Sequence, residues 1–196
     1  MDKKQIQEER IKNFFLSAAK ELIRAEGIEV VSARNVAERA GYSYATLYNY
    51  FKDIRDLIFS CAQDFMDECR GYIFENIPPE QDSAERLNSI TICYTRFFVQ
   101  YPGIFELLYQ QKVSTISTPD SKTGIIYSFF DSLTNDSWQE YFRKKQMNLK
   151  QAETIRKNHK LAIHGLLLFY LNRRMGSDYA VLMEEVRSVN EYFIAP

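Results

Sequence analysis

Apolar residues return every three or four positions in almost every segment of this chain, and the two-residue alternation of a half-buried strand is missing apart from the brief run at Ile28–Val31. That spacing restricts the chain to helical architectures and places it in the all-α class. The first stripe, Ile11, Phe14, Phe15, Ala18, Ala19, Leu22 and Ile23, predicts a helix that stops at Glu26 and Gly27. Ser32 is placed to cap a short helix ending near Ala40, which Gly41 and Tyr42 break. Ser43 then caps a third helix, from Tyr44 to about Tyr50. Asp53, with Asp56 three residues on, opens a long fourth helix through Leu57, Cys61, Phe65, Cys69 and Ile73, until Pro78 and Pro79 forbid it. Further helices are predicted over about 83–100, 104–112, 124–147, 149–174 and 178–193, with a Ser/Thr/Pro-rich loop at 113–123.

With 196 residues, 45% of them hydrophobic and 26% charged, the chain can build one substantial core, or a small domain fused to a larger one. The net charge of −1 supplies no global pull toward nucleic acid or an anionic membrane, so any such binding must come from a local patch. Cys61, Cys69 and Cys93 form no CxxC pair, and their odd number does not describe a disulfide framework; they point to a reducing, cytoplasmic compartment. The N-terminal stretch lacks the apolar centre of a signal peptide, and the longest apolar run, Leu161–Leu171, is interrupted by His164 and too short to span a bilayer. The only two histidines, His159 and His164, fall on different faces of a helix, and no GxGxxG, P-loop or G-x-S-x-G is present. No catalytic residue, metal site, cofactor or membrane contact is therefore expected.

Two short helices joined by a glycine-bearing turn, the second opened by a serine cap, describe a helix-turn-helix whose second helix can enter the major groove. Val36, Ala37, Ala40, Leu47 and Phe51 supply apolar packing against the first helix. Tyr44, Ala45, Thr46, Tyr48, Asn49 and Tyr50 are left to divide between core and outward positions. This stretch, GYSYATLYNYF from Gly41 to Phe51, holds four tyrosines and no charged side chain. Cations surround it: Lys3, Lys4, Arg34, Arg39, Lys52 and Arg55. Residues 1–60 nevertheless carry ten Lys/Arg against nine Asp/Glu, a net charge of only +1, which equally describes an ordinary solvated face.

From Ala37 to Phe51 the residues fit A-x-x-A-G-x-S-x-x-T-L-Y-x-x-F. The run SARNVAERAGYSYATLYNYFKDIRDLI resembles the DNA-binding signature of the tetracycline-repressor (TetR-type) transcriptional regulators, over roughly residues 8–60. The resemblance implies a homodimeric all-α regulator with a three-helix DNA-binding domain over 1–52 and a helical ligand-binding and dimerisation domain over 53–196. It implies DNA contacts at Ser32, Arg34, Ser43, Tyr44, Ala45, Thr46, Tyr48, Asn49, Tyr50 and Lys52, with Leu47 and Phe51 in the core. Tyr48 and Tyr50 are expected to reach the phosphate backbone, leaving Ala45, Thr46 and Asn49 for base edges. Many members carry lysine in place of Tyr44 and of Ile54, so fewer phosphate contacts and a shallower salt dependence are expected here. Arg55 and the positive end of the fourth helix remain available to a phosphate.

The segment AIHGLLLFYLNRRMG and the helix after it resemble the last two helices of the family's C-terminal domains, which pack as a four-helix bundle from two subunits. A homodimer through the last two helices is expected. The chain has 14 Phe, 13 Tyr and 1 Trp, an excess that either fills a core or lines a pocket. Phe65, Tyr94, Phe98, Tyr109, Tyr127, Phe130, Trp138 and His164 are the candidates for a pocket wall, for an effector the sequence does not identify. The expected function is a ligand-responsive dimeric regulator, a repressor released from a palindromic double-stranded DNA operator by a small molecule. The alternative is a helical ligand-binding or interaction protein with a degenerate helix-turn-helix and little DNA affinity.

Overall fold

The computed structural model describes residues 3–112, 124–176 and 178–194, and among them the regular elements are helical throughout. The chain divides into two compact units. One comprises Met1–Asp67 with Tyr101–Tyr127, the other Glu68–Gln100 with Ser128–Pro196.

In the first unit, α1 (Lys3–Glu26) starts well before its apolar stripe, because the Lys, Gln and Glu residues at its beginning are themselves good helix formers. Phe15, Ala18, Ala19, Leu22 and Ile23 are its buried positions, one face at three- and four-residue spacing. Gly27 ends it with φ 86° and ψ 179°, a region essentially confined to glycine, and Ile28–Val30 form a single 3-10 turn with Ile28 buried. The oxygen of Ser32 accepts from the Asn35 N–H at 3.1 Å and opens α2 (Ala33–Ala40). Gly41 closes α2 in the left-handed conformation. Its N–H reaches Glu38 O while the Tyr42 N–H reaches Ala37 O, which satisfies two carbonyls the helix would otherwise leave bare.

Helix α3 is shorter than its periodicity suggests. It spans Tyr44–Leu47, and the chain then tightens through Tyr48–Tyr50 by bonds from Asn49 N to Thr46 O and from Tyr50 N to Leu47 O. Helix α4 (Ile54–Asn76) follows, with Leu57, Ile58, Cys61, Ala62 and Phe65 buried in this unit. Lys20 and Arg24 on α1 lie over the Phe65 ring, and Lys20 also pairs with Asp64 at 3.0 Å. The first unit further includes α6 (Pro102–Phe105), continued by a π-turn over Glu106–Gln110, and α7 (Gly124–Tyr127). Helix α6 packs on α1 so closely that a Cβ at Gly103 would stand 2.4 Å from Ile23 O.

The second unit is built around α5 (Ser83–Gln100), against which α8 (Phe129–Lys144), α9 (Leu149–Leu171) and α10 (Tyr179–Phe193) pack. Local chemistry starts α5, α9 and α10 where the sequence places them. Asp82 Oδ1 accepts from Ala84 N and Glu85 N while Glu85 returns a bond to Asp82 N; Asn148 and Asp178 cap α9 and α10. The expected single helix over 124–147 is broken at Ser128, whose φ −90° and ψ 0° separate α7 from α8. Helices α8 and α9 end at Lys144 and Leu171, before the expected Met147 and Arg174, and Gln146 (φ 52°) and Arg173 (φ 55°) just beyond them take the left-handed position.

Leu87, Trp138, Tyr141 and Ile194 form one part of this core, with Phe142 stacked on Trp138 at 4.9 Å. A polar relay runs into it from the exposed Asn88 through the buried Asn190 and His159. Asn190 Nδ2 donates to Asn88 Oδ1 at 2.6 Å, which turns Asn190 Oδ1 toward His159 Nε2 at 2.9 Å and makes that nitrogen the protonated one. Burial, opposed by the Asn190 bond, holds the His159 pKa below its ordinary value. Cys61, Cys69 and Cys93 are buried thiols, and burial pushes Cys61 up to about 12. They pack as neutral groups. Among the described residues no helix is long and apolar enough to cross a membrane, and no group of three His, Cys, Asp or Glu could hold a metal ion.

Candidate nucleic-acid interface

The helix-turn-helix faces its tyrosines two ways. Tyr42 rests on Phe15 and Phe14, at 5.4 and 6.1 Å between ring centroids, and Tyr50 lies on Phe15 at 6.2 Å; both are half-buried. Tyr44 and Tyr48 are exposed, at 62% and 49%. Behind them Leu47 and Phe51 are buried, which fixes the rotation of the segment: with Leu47 inward, Tyr44, Ala45, Tyr48 and Asn49 are all left exposed. Ser32, Arg34, Ser43 and Lys52 are exposed too, and Thr46 is half-buried.

The hydroxyls of this face are partly organised already. Ser43 Oγ accepts from Thr46 N at 3.1 Å and lies 2.8 Å from Thr46 Oγ1, so the cap and the adjacent threonine hold one another. Ser32 Oγ is an acceptor in its own cap, which leaves the hydroxyl proton as a donor. Asn35 is tied back to Val30 O at 2.8 Å. The cations behave differently from the sequence expectation that they stand ready for phosphate. Arg39 reaches Glu21 at 3.6 Å and Glu26 at 3.4 Å, and Arg55 places Nη2 2.8 Å and Nε 3.2 Å from Asp53 Oδ2. The Arg55 side chain, aided by the N–H groups of Arg55 and Asp56, holds the Asp53 carboxyl below its ordinary pKa. This pairing was not legible in the sequence, where Asp53 reads only as a cap.

The aromatic candidates fall into separate places. Tyr94, Phe98, Phe130 and His164 converge in the second unit: the Tyr94 ring meets Phe98 edge-on at 4.7 Å and Phe130 at 4.8 Å, and its hydroxyl lies 3.0 Å from His164 Nε2. Trp138 joins them through His159, whose ring contacts both Trp138 and Phe130. Phe65, Tyr109 and Tyr127 belong to the first unit, where Phe65 is buried, Tyr109 packs on Phe105 and Tyr127 is exposed.

A capped α2, a left-handed glycine turn and a capped α3 carrying an outward polar face define a helix-turn-helix within an all-helical fold. Residues 15–61 match the family model of the bacterial regulatory proteins of the tetR family. The fold extends the likeness to nearly the full length. A TetR transcriptional regulator from Rhodococcus sp. RHA1 is similar at 19% identity over 92% of this chain and 95% of that one, with a TM-score of 0.64. The TetR family regulator PfmR from Thermus thermophilus is similar at 14% identity, over 92% and 96%, with a TM-score of 0.62. The superantigen PfiT has the same fold at 13% identity, over 93% and 95%, with a TM-score of 0.68, so the architecture by itself does not specify a role. No curated protein matches the sequence.

Proposed function

We propose that the protein is a cytoplasmic, dimeric, ligand-responsive DNA-binding regulator that represses from a two-fold symmetric operator and is released by a small molecule. The observation that carries the DNA-binding part is the exposed row Tyr44, Ala45, Tyr48 and Asn49 held over buried Leu47 and Phe51, within the stretch that matches the tetR family. Tyr44 and Tyr48 donate hydroxyl bonds to phosphate, and Ala45, Thr46 and Asn49 meet base edges. Ser32, Ser43, Arg34 and Lys52 flank them, and Tyr50 braces the helix against Phe15.

Dimerisation is supported by two unpartnered stripes. On α9, Leu161, Leu168 and Phe169 are exposed at 56%, 42% and 50%, and a Cβ added at Gly165 between them would meet nothing within 4 Å. On α10, Val181 and Tyr192 are exposed at 43% and 79%. A second copy covering these stripes removes apolar surface that water otherwise solvates, and Gly165 lets the backbones approach. Two recognition helices in successive major grooves then stand about 34–36 Å apart. The Tyr94–His164 pair, ringed by Phe98 and Phe130, supports an uncharged or amphipathic effector. The internal pairing of Arg39 and Arg55 favours a second reading, a ligand-binding protein with little DNA affinity.

Selection from a pool of random duplexes at low salt separates the two. An enriched two-fold symmetric sequence, with a solution mass twice 23.1 kDa, is expected; the absence of any enriched sequence overturns the regulator reading. Tyr48→Phe tests the hydroxyl. Its loss is expected to weaken binding to selected and unrelated duplexes alike by about tenfold, the size of one hydrogen bond to a charged group. A loss confined to the selected duplex would refute the phosphate role.

A further inference from the structure

We propose that Asp53, with Arg55 held against it, is a specificity-determining residue: it keeps this helix-turn-helix off unrelated DNA by neutralising the start of α4. The inference rests on the DNA-binding reading above. A helix start offers phosphate its bare N–H groups, its positive pole and nearby cations. Here two carboxylates have taken those donors: Asp53 Oδ1 accepts from Arg55 N at 2.9 Å and Asp56 N at 3.0 Å, and Asp56 Oδ2 accepts from Lys52 N at 3.1 Å. Both Nε and Nη2 of Arg55 face Asp53 Oδ2, and the pair is partly shielded, with Asp53 at 28% and Arg55 at 43% side-chain exposure. From Lys52 to Asp56 the formal charges cancel.

Charge and hydroxyl differ in reach. Cation–phosphate attraction acts over several ångströms and rewards any duplex, whereas a tyrosine or serine hydroxyl gains nothing until it sits at hydrogen-bond distance. A face whose long-range term is cancelled and whose short-range donors remain binds well only in a register where Tyr44, Tyr48 and Ser43 all reach phosphate. Asp53 therefore sets the ratio of specific to unrelated binding without touching a base.

Asp53→Asn tests this, because asparagine caps a helix as well as aspartate does and retains the acceptor while losing the charge that holds Arg55. Binding is measured on a duplex selected by the wild type and on an unrelated duplex of equal length, across a salt series. On the unrelated duplex the D53N protein is expected to bind roughly tenfold more tightly, with the slope of log K against log salt steeper by about 1 for each freed arginine. The selected duplex gains less, so the ratio shrinks. D53N/R55Q is expected to return to the wild-type slope. Should D53N lose its helical circular dichroism, Asp53→Ser, which also supplies a capping oxygen without the charge that holds Arg55, carries the same expectation. A wild type that selects a site, with charge-removed variants indistinguishable from it on unrelated DNA, overturns this inference alone. A gain that persists in D53N/R55Q overturns it too, and a wild type that selects no duplex overturns the regulator reading with it.

Discussion

Gly103→Ala is expected to lower the stability of the first unit by about 3 kcal/mol, the upper part of the range for forcing an extra carbon into a packed interface. The new Cβ would stand 2.4 Å from Ile23 O and 3.6 Å from the Cα of Gly27. Neither neighbour can give way cheaply. The Ile23 carbonyl accepts the Gly27 N–H at 3.1 Å, and Gly27 is held at a backbone conformation that only glycine takes easily. Helix α6 must therefore lift from α1, exposing Ile104 and Phe105, both buried now. Gly71→Ala on α4 is the control, since a Cβ there meets nothing within 4 Å and alanine favours helix by roughly 0.5–1 kcal/mol. Urea unfolding of the two variants should move in opposite directions; a Gly103→Ala protein as stable as the wild type would show that α6 yields without cost.

Acid should destabilise the second unit well above the range in which ordinary carboxylates titrate. His164 Nδ1 lies 2.8 Å from Lys160 O, an acceptor only, so Nδ1 carries the proton and the bare Nε2 accepts from the Tyr94 hydroxyl. Burial, the largest cause, holds its pKa down at about 4; the Lys160 carbonyl bond opposes it, Lys160 and His159 add to it, and Asp131 works against it. In the unfolded chain the same group titrates near 6.5. Above that value neither state binds the proton and the stability is intact. As the pH falls from 6.5 toward 4 the unfolded chain takes up a proton that the folded one refuses, and at about 1.4 kcal/mol per pKa unit the loss approaches about 3 kcal/mol. His159, also held down by burial, acts with the same sign. Urea unfolding at a series of pH values should show this loss in the wild type and a flatter profile in His164→Gln. Equal slopes in the two proteins would remove His164 as the cause.

What the sequence disclosed depended on whether the controlling chemistry was local. Ser32, Ser43, Asp53 and Asp178 mark helix starts because each cap is decided within three residues, and Gly41 marks an end because its φ of 75° favours glycine. The ends at Lys144 and Leu171 were missed because the left-handed position just beyond each is occupied by Gln146 and Arg173, residues that do not announce it. The inward set of the helix-turn-helix, Val36, Ala37, Leu47 and Phe51, was readable from spacing. The division of the tyrosines was not, since it depends on Phe14 and Phe15 nearly thirty residues earlier. Arg55 looked available to phosphate because its neighbour Asp53 read only as a cap, and side-chain pairing two residues apart has no pattern in the sequence.

Helix α4 contributes Leu57, Ile58, Cys61, Ala62 and Phe65 to the same compact unit as the helix-turn-helix, and α6 joins that unit from more than thirty residues downstream. The helix-turn-helix is therefore not a cassette that can be cut from the start of the chain. A chimera joined just after Phe51 would leave behind the apolar wall that α1 leans on, and would have to recover it from a foreign helix. Grafts of this helix-turn-helix need to carry a discontinuous piece, Met1–Asp67 together with Tyr101–Tyr127, as one inherited block.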